Sequence, residues 1–189
     1  NRIINFRSDV RILTYGESVG DAHVIDKHFD AKKLRWTITS KILGQTAEYT
    51  TPLFQSHAPA QSTGVLLTAS VLGLDAQQVA NNYPGLIPYE TMGRIFRIST
   101  PEKSFLYYDQ SQRGAIAGFR SAFKDLGRLK QGGRLIAVIG GSDTEQDTAL
   151  TRERHEDLAV LVNNSGIDKL YTCGPRSEEH TSELQSQFR

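Results

Sequence analysis

Cysteine is almost absent from this 189-residue chain, and so are long hydrophobic runs and any excess of one charge. The single cysteine, Cys173, cannot form an intrachain disulfide, so we expect a reducing, cytoplasmic setting. No stretch approaches the ~18 consecutive apolar residues of a membrane-spanning helix. Lys and Arg total 22 against 21 Asp and Glu, which leaves a formal net charge of +1. The sequence thus gives no electrostatic reason to expect nucleic acid or a membrane surface as a partner.

The composition that remains is that of an ordinary globular protein, with 38% hydrophobic and 23% charged residues. The sequence begins at Asn1, and a strand-like run follows almost at once at Val10–Tyr15. We therefore expect the sequence to start in the middle of a longer protein. At the other end, residues 176–186 resemble a translated sequencing adaptor, and a genuine polar tail is the alternative. We therefore expect 176–189 to be an artefactual tail and base no functional argument on it.

Local patterns in the first half predict strands and then helices. Besides Val10–Tyr15, the run Leu34–Ile42 alternates apolar and polar residues, and Thr46–Leu53 returns as a second β-rich run after a turn at Leu43–Gln45. These features predict a β-hairpin.

Two helices are predicted next. Apolar and small residues over Gln61–Leu74 favour a helix that closes at Gly73, and Asp75 is placed to cap a short helix over Ala76–Asn81. The proline-rich segment Pro84–Pro101 then predicts a linker into a second unit.

The second half alternates strands with helices in a regular order. The predicted elements are strands Ile95–Ile98 and Ser104–Tyr108, helix Gly114–Leu129, a fully buried strand Arg134–Ile139, helix Thr151–Ser165 and strand Lys169–Thr172. This order predicts a parallel α/β sheet with right-handed crossovers, built from the strands at 104–108, 135–139 and 169–172.

Few residues carry chemistry on their own. The sequence lacks the Gly-x-x-x-x-Gly-Lys-[Ser/Thr] phosphate loop, and Gly140–Asp143 lacks the full dinucleotide fingerprint, so a plain turn is the simpler interpretation. Asp109 ends a strand, where ligands bind in open α/β sheets, but a turn or helix-cap role is equally open. His57 and His155 are lone histidines of a kind that is more often structural than catalytic. Cys173 is most simply a small apolar residue ending a buried strand.

Taken in chain order, several segments resemble the Mur ligase family from about Val10 to Gly174. They are Arg11–Gly16 before the hairpin, Pro52–Ala58 and Gln61 opening an alanine-containing helix, Gly93-Arg94 at a domain junction, Ser104–Asp109 as a strand ending in aspartate, Arg134–Gly140 as the next strand, and His155 with Gly166-Ile167-Asp168. Within the family, the pattern is most similar to the members that add D-alanyl-D-alanine to a UDP-N-acetylmuramoyl-peptide (UDP-MurNAc-peptide).

The resemblance implies an α/β fold in two parts. Residues 1–88 would be the carboxyl-terminal part of the ATP-binding central domain, and 89–175 a truncated, Rossmann-like parallel-sheet carboxyl-terminal domain. The family's phosphate loop, magnesium-binding glutamate, carbamylated lysine and UDP-sugar site would lie upstream. We therefore expect the fragment to be inactive by itself.

The resemblance also implies an activity. This would be ATP-dependent amide ligation in peptidoglycan precursor synthesis, carried out by a monomer through an acyl phosphate, with ATP and Mg²⁺ as cofactors. Arg94 would contact the ATP phosphates and Asp109 the ribose hydroxyls, while His57 and Gln61 would line the adenine side. Neither a catalytic residue nor a metal ligand is assigned within the chain.

One loop departs from the family pattern. The family's Asp-Ser-Tyr-Asn-Ala-Asn stands here as the sequence Asp-Gln-Ser-Gln-Arg-Gly over 109–114, without either asparagine. Ala58 likewise stands where the family has an asparagine after its histidine. Two other hypotheses therefore stay open: a related amide ligase of the polyglutamate or cyanophycin type, and a Mur-like paralogue that binds nucleotide without ligating.

Overall fold

The structure, a computed structural model, describes residues 10–112, 116–130, 132–140 and 157–173. The chain divides into two units, Asn1–Pro88 and Tyr89–Arg189, each of which contains strands and helices. The fold class is therefore mixed α/β, as predicted. Within the described ranges, no helix is both long enough and apolar enough to cross a membrane.

A four-stranded sheet forms the framework of the first unit. Its strands, in spatial order, are β1 (Tyr15–Gly16), β2 (Ala22–Asp30), β3 (Arg35–Ile42) and β4 (Gln45–Thr51). The pair β1–β2 is parallel, and the other two pairs are antiparallel. The sheet is followed by helices α1 (Ala58–Val71) and α2 (Ala76–Ala80) and by a 3-10 turn (Tyr83–Gly85).

The predicted hairpin is confirmed as β3–β4, and its turn explains the register. Leu43 and Gly44 are the two turn residues, with φ of 48° and 90°, the left-handed pair that a two-residue hairpin turn requires. They place Ile42 opposite Gln45. Alternate side chains of β3, starting at Trp36, are buried, because successive residues of a strand point to opposite faces.

Two strands of this unit differ from the sequence-based expectation. The predicted strand Val10–Tyr15 is reduced to β1, because only Tyr15 and Gly16 pair with a neighbouring strand there. The sequence pattern does not predict β2, because a bulge between Val24 and Asp26 interrupts its alternation.

The helix predicted over Gln61–Leu74 is present as α1, which begins and ends slightly earlier. Gly73 adopts a φ of 83° just beyond the helix and closes it as expected. Asp75 caps α2 as expected, since its Oδ1 accepts a hydrogen bond from the backbone N–H of Gln78 at 2.7 Å. Both helix ends therefore follow from local sequence.

Buried hydroxyl groups join this sheet to α1. The Oγ of Ser40 lies 2.7 Å from the Oγ1 of Thr63, and the Oη of Tyr49 lies 2.9 Å from the Oγ of Ser62. The hydroxyl of Tyr83 donates to the backbone oxygen of Ser62 at 3.0 Å. Because each of these groups has a partner, their burial costs little, and the cluster fixes α1 on the sheet.

The second unit contains a hairpin and a separate pair of strands. In the hairpin, β5 (Arg94–Ser99) runs antiparallel to β6 (Ser104–Asp109), whereas β7 (Ile136–Gly140) runs parallel to β8 (Lys169–Cys173). Helix α3 (Ile116–Gly127) precedes β7, and helix α4, over 157–163, precedes β8.

The predicted parallel sheet is confirmed for β7 and β8 but not for β6. Within the described residues, β6 pairs with β5 alone. The connection from Ser99 to Ser104 is a short turn, in which the N–H of Thr100 donates to the oxygen of Lys103 at 2.8 Å. Such a short connection can join only antiparallel neighbours.

A small core covers one face of β7 and β8. Its buried members are Phe123 of α3, Ile139 of β7, and Leu158 and Val162 of α4. Because both helices pack on this face, the other face stays open, and Ile136, Val138 and Tyr171 are 49%, 72% and 49% exposed. The sequence-based prediction that the strand over Arg134–Ile139, now β7, is fully buried is therefore wrong. Cys173, expected at the end of a buried strand, is exposed too.

Candidate functional site

Arg94 and Asp109 meet at the base of the β5–β6 hairpin. Arg94 begins β5, Asp109 ends β6, and the two are direct partners in the strand register. Directly opposite residues of an antiparallel pair project from the same face. A cation and a carboxylate therefore stand side by side, and among the described residues the ion pair of Arg94 is made with Glu90 instead.

Backbone hydrogen bonds continue this pairing beyond the hairpin. The N–H of Gly93 donates to the oxygen of Asp109 at 2.7 Å, and the N–H of Gln112 donates to the oxygen of Thr91 at 3.1 Å. Gly93 and Thr91 have φ of 87° and 67°. The left-handed region suits glycine but is unusual for a β-branched residue such as threonine. The chain thus turns sharply just before it delivers Arg94 to β5.

The Asp109 carboxylate is held at one of its two oxygens. Its Oδ1 accepts a hydrogen bond from the backbone N–H of Ser111 at 3.1 Å and another from the Ser111 hydroxyl at 2.7 Å. This is the local turn that aspartate commonly forms with a residue two positions on. All hydrogen bonds that the described residues make to this carboxylate end on Oδ1. Within the described residues, its Oδ2 accepts none of them.

The guanidinium of Arg94 contacts an exposed carboxylate and an aromatic ring. Its Nη1 lies 3.1 Å from Oε1 of Glu90, whose side chain is 75% exposed, and its Cζ lies 4.6 Å from the ring centroid of Phe96. An exposed ion pair contributes little stability. An anionic ligand could therefore take the place of Glu90 at small cost.

Tyr108, the residue before Asp109, is half-buried, and its hydroxyl donates to Oε1 of Gln110 at 3.2 Å. Asp125 is fully buried and accepts a hydrogen bond from Nη2 of Arg128 at 2.7 Å. Burial raises the pKa of the Tyr108 hydroxyl well above its ordinary value of 10.0, and the charge of Asp125 adds to the rise while that of Arg128 opposes it. The residue next to Asp109 is thus packed into the unit.

In the first unit, His57 and Gln61 lie one turn apart at the start of α1. His57 is the N-cap residue but makes no capping hydrogen bond with its side chain, and its backbone oxygen accepts from the N–H of Gln61 at 3.0 Å. Both residues are exposed. They stand beside the first backbone N–H groups of the helix, which carry partial positive charge.

An open groove of about 280 Å³ runs along another side of α1. Its lining is mainly apolar and consists of Leu13, Tyr15, Gly64, Leu67, Thr68, Val71 and Leu72. Because no charged side chain lines it, this groove offers nothing that would hold a phosphate. We therefore assign it no role in nucleotide binding.

The structure brings the sequence-predicted site residues together as two pairs, one in each unit. Sequence reasoning misses Glu90 and Ser111, although the Asp-x-Ser spacing of Asp109 and Ser111 is itself a recognised turn signal. The loop at 141–143 and His155 lie outside the described residues.

Metal ligands are a separate matter. In the part of the chain that the structure describes, no group of three or more His, Cys, Asp or Glu side chains could hold a metal ion.

No family model and no curated protein matches this chain. Solved structures do match. A crystal structure of MurF from Acinetobacter baumannii matches 98% of this chain with a TM-score of 0.79 at 16% identity. MurF ligase from Thermotoga maritima, in complex with ADP, matches 93% with a TM-score of 0.69 at 16% identity. MurC, the UDP-N-acetylmuramate–alanine ligase of Thermotoga maritima, matches 93% with a TM-score of 0.68 at 12% identity.

The chain has the Mur ligase fold. It spans 38%, 39% and 37% of the lengths of these three ligases. The two Thermotoga structures match almost equally well, although they are different ligases, MurF and MurC. The Mur ligase fold therefore accounts for the architecture but does not distinguish one ligase of this fold from another.

Proposed function

We propose that this chain is part of an ATP-dependent amide ligase of peptidoglycan precursor synthesis. The enzyme would be a cytoplasmic monomer that adds D-alanyl-D-alanine to a UDP-MurNAc-peptide through an acyl phosphate. The observation that carries the proposal is the fold shared with MurF over 98% of the chain. The placement of Arg94 opposite Asp109 supports it further.

Each member of the hairpin pair has a role that its chemistry suits. Arg94 offers a permanent, planar cation to the ATP phosphates. Asp109 is an anion that phosphates would repel, so it accepts hydrogen bonds from the ribose hydroxyls instead. His57 and Gln61, at the start of α1, line the adenine side. The MurF structure in complex with ADP supports a nucleotide as the ligand.

These residues act by positioning. Phosphoryl transfer depends on holding the reacting groups in line and on neutralising charge, rather than on covalent chemistry by the protein. Mg²⁺, when bound, neutralises phosphate charge, and no described residue of this chain is assigned to it. Because the sequence lacks a phosphate loop, we expect the 189-residue chain alone to form no ADP from ATP.

Steady-state kinetics of the whole protein that carries this chain test the assignment. Arg94→Ala and Asp109→Ala should each lower kcat/KM for ATP by about tenfold or more, since about 1.4 kcal/mol corresponds to a factor of ten. Arg97→Ala and Glu102→Ala are matched controls, because both residues are exposed on the same hairpin. Near-wild-type values for both site variants would show that neither residue contacts the nucleotide.

The loop at 109–114 favours a second candidate. It lacks both asparagines of the family pattern, and it follows the strand that ends at Asp109. A ligase for a different amine, such as glutamate or an amino acid of cyanophycin, fits this loss, and so does a paralogue that binds nucleotide without ligating. Supplying the whole protein with each amine separates them. Product with D-alanyl-D-alanine supports the first proposal, product with another amine supports the related ligase, and nucleotide binding without product supports the paralogue.

A further inference from the structure

In the turn after β6, the side-chain hydroxyl of Ser111 holds the carboxylate of Asp109. Both the backbone N–H and the Oγ of Ser111 donate to the same oxygen, Oδ1 of Asp109, at 3.1 Å and 2.7 Å. A carboxylate at the end of a strand otherwise rotates broadly about its last side-chain bond. Two donors that converge on one oxygen fix both the position and the plane of the group. The hydroxyl bond is the shorter of the two.

We propose that Ser111 is a positioning residue, which orients Asp109 so that its Oδ2 faces the ribose hydroxyls of a bound adenine nucleotide. This inference rests on the proposed function. The backbone of Asp109 is already held by the N–H of Gly93 at 2.7 Å, and the hydroxyl of the preceding residue, Tyr108, donates to Oε1 of Gln110 at 3.2 Å. Only the side chain keeps rotational freedom, and Ser111 removes it before the ligand arrives.

Preorganisation of this kind strengthens binding without adding a contact to the ligand. A side chain that is already ordered loses less entropy when a ligand binds. The effect is specific to the ligand groups that Asp109 contacts, because Ser111 acts only through Oδ1. Removing the ribose hydroxyls from the ligand should therefore remove the effect of Ser111.

The test compares ADP with 2′,3′-dideoxy-ADP by calorimetric titration of the whole protein. We expect the wild type to prefer ADP, and Asp109→Ala to lose the preference. Ser111→Ala keeps the backbone donor and loses the hydroxyl, so it should weaken ADP binding about three- to fivefold and leave dideoxy-ADP binding unchanged. Ser111→Thr restores the hydroxyl and should restore the preference. Ser104→Ala, at the far end of β6, is the matched control.

The outcomes distinguish a failure of the positioning role of Ser111 from a failure of the proposed nucleotide site. If Asp109→Ala loses the preference but Ser111→Ala keeps it, the role of Ser111 is refuted while the ribose contact stands. If Ser111→Ala weakens both nucleotides equally, its effect is structural and the positioning role is refuted. If Asp109→Ala keeps the wild-type preference, or the protein binds no ADP, the proposed nucleotide site itself fails.

Discussion

Asp125 and Arg128 form an ion pair of unequal burial within α3. Their Oδ1 and Nη2 atoms are 2.7 Å apart, the carboxylate side chain is fully buried, and the arginine side chain is 30% exposed. Removing Asp125 and removing Arg128 should therefore destabilise the unit by different amounts. The Arg128 side chain, which is 30% exposed, can turn toward water when Asp125 is removed, whereas the Asp125 carboxylate stays buried when Arg128 is removed.

Arg128→Ala should accordingly destabilise the second unit more than Asp125→Ala does. Losing a charge-assisted hydrogen bond to a group that stays buried costs about 1.5–3 kcal/mol, and losing one whose other partner can be solvated costs about 1 kcal/mol. Amide hydrogen exchange of β7 and β8 measures the free energy of opening in this unit. Arg120→Ala, an exposed position on the same helix, is the control. A larger loss for Asp125→Ala would contradict this asymmetry.

Leu43→Asn should stabilise the first unit. Leu43 has a φ of 48°, where asparagine is tolerated far better than leucine, so we expect a gain of about 0.5–1 kcal/mol. The single tryptophan, Trp36, lies in this unit, so urea unfolding followed by its fluorescence reports the change. Leu86→Asn is the control, because Leu86 is similarly exposed but has a φ of −63°. A gain of the same size in the control would assign the effect to lost surface hydrophobicity.

Tyr49→Phe should destabilise the first unit by about 1 kcal/mol, because it removes a buried hydroxyl that lies 2.9 Å from the Oγ of Ser62 and so loses a buried hydrogen bond. Tyr15→Phe, at a 55% exposed tyrosine, should have almost no effect. Thermal unfolding followed by the fluorescence of Trp36 compares the two variants. Equal midpoints would mean that water or rearrangement replaces the lost hydroxyl.

Asp168→Asn should make the second unit less stable at neutral pH and less sensitive to acid. The backbone N–H of Leu135, and after it the ammonium of Lys130, hold the pKa of Asp168 below its ordinary value of 3.8. A lowered folded-state pKa contributes stability above the ordinary value and loses it as pH falls through the lowered one. The difference between wild type and variant should therefore shrink below about pH 4.

Acid titration of amide exchange in β8 measures that difference. Glu102→Gln, at an exposed carboxylate in the β5–β6 turn, is the control and should follow the wild type at every pH. A difference that stays constant from pH 7 to pH 2 would show that the charge of Asp168 is not responsible.

Elements whose signals are local are the ones that sequence predicts here. The β3–β4 hairpin needs only the alternation of β3 and a two-residue turn at Leu43 and Gly44. The helix ends at Gly73 and Asp75 are local in the same way. Strand β2 escapes prediction because its bulge hides the period of two. The pairing of β6 with β5 is local as well, through the short turn from Ser99 to Ser104, but the strand–helix alternation that predicts a parallel partner overlooks it.

In the candidate site, too, some features can be predicted from local sequence and others only from the folded structure. Arg94 and Asp109 can be found from their positions beside a glycine and at a strand end. That they are direct partners follows only from the hairpin register. Glu90 and Ser111 become visible once the turns on either side of that hairpin are folded. Residues that arrange a site are therefore harder to find than residues that contact a ligand.

The separation between β7 and β8 along the chain bears on how fast each unit forms. Leu135 and Asp168, which are joined by a hydrogen bond next to these strands, lie 33 positions apart, whereas β3 and β4 are separated by two residues. Closing the longer loop between β7 and β8 costs more chain entropy, and this cost arises before the strands pair and stabilise each other. We expect the β3–β4 hairpin to nucleate early, on the microsecond scale that is typical of hairpins. The second unit should then be the later kinetic step, and the one exposed longest to chaperones and proteases while the polypeptide is being made.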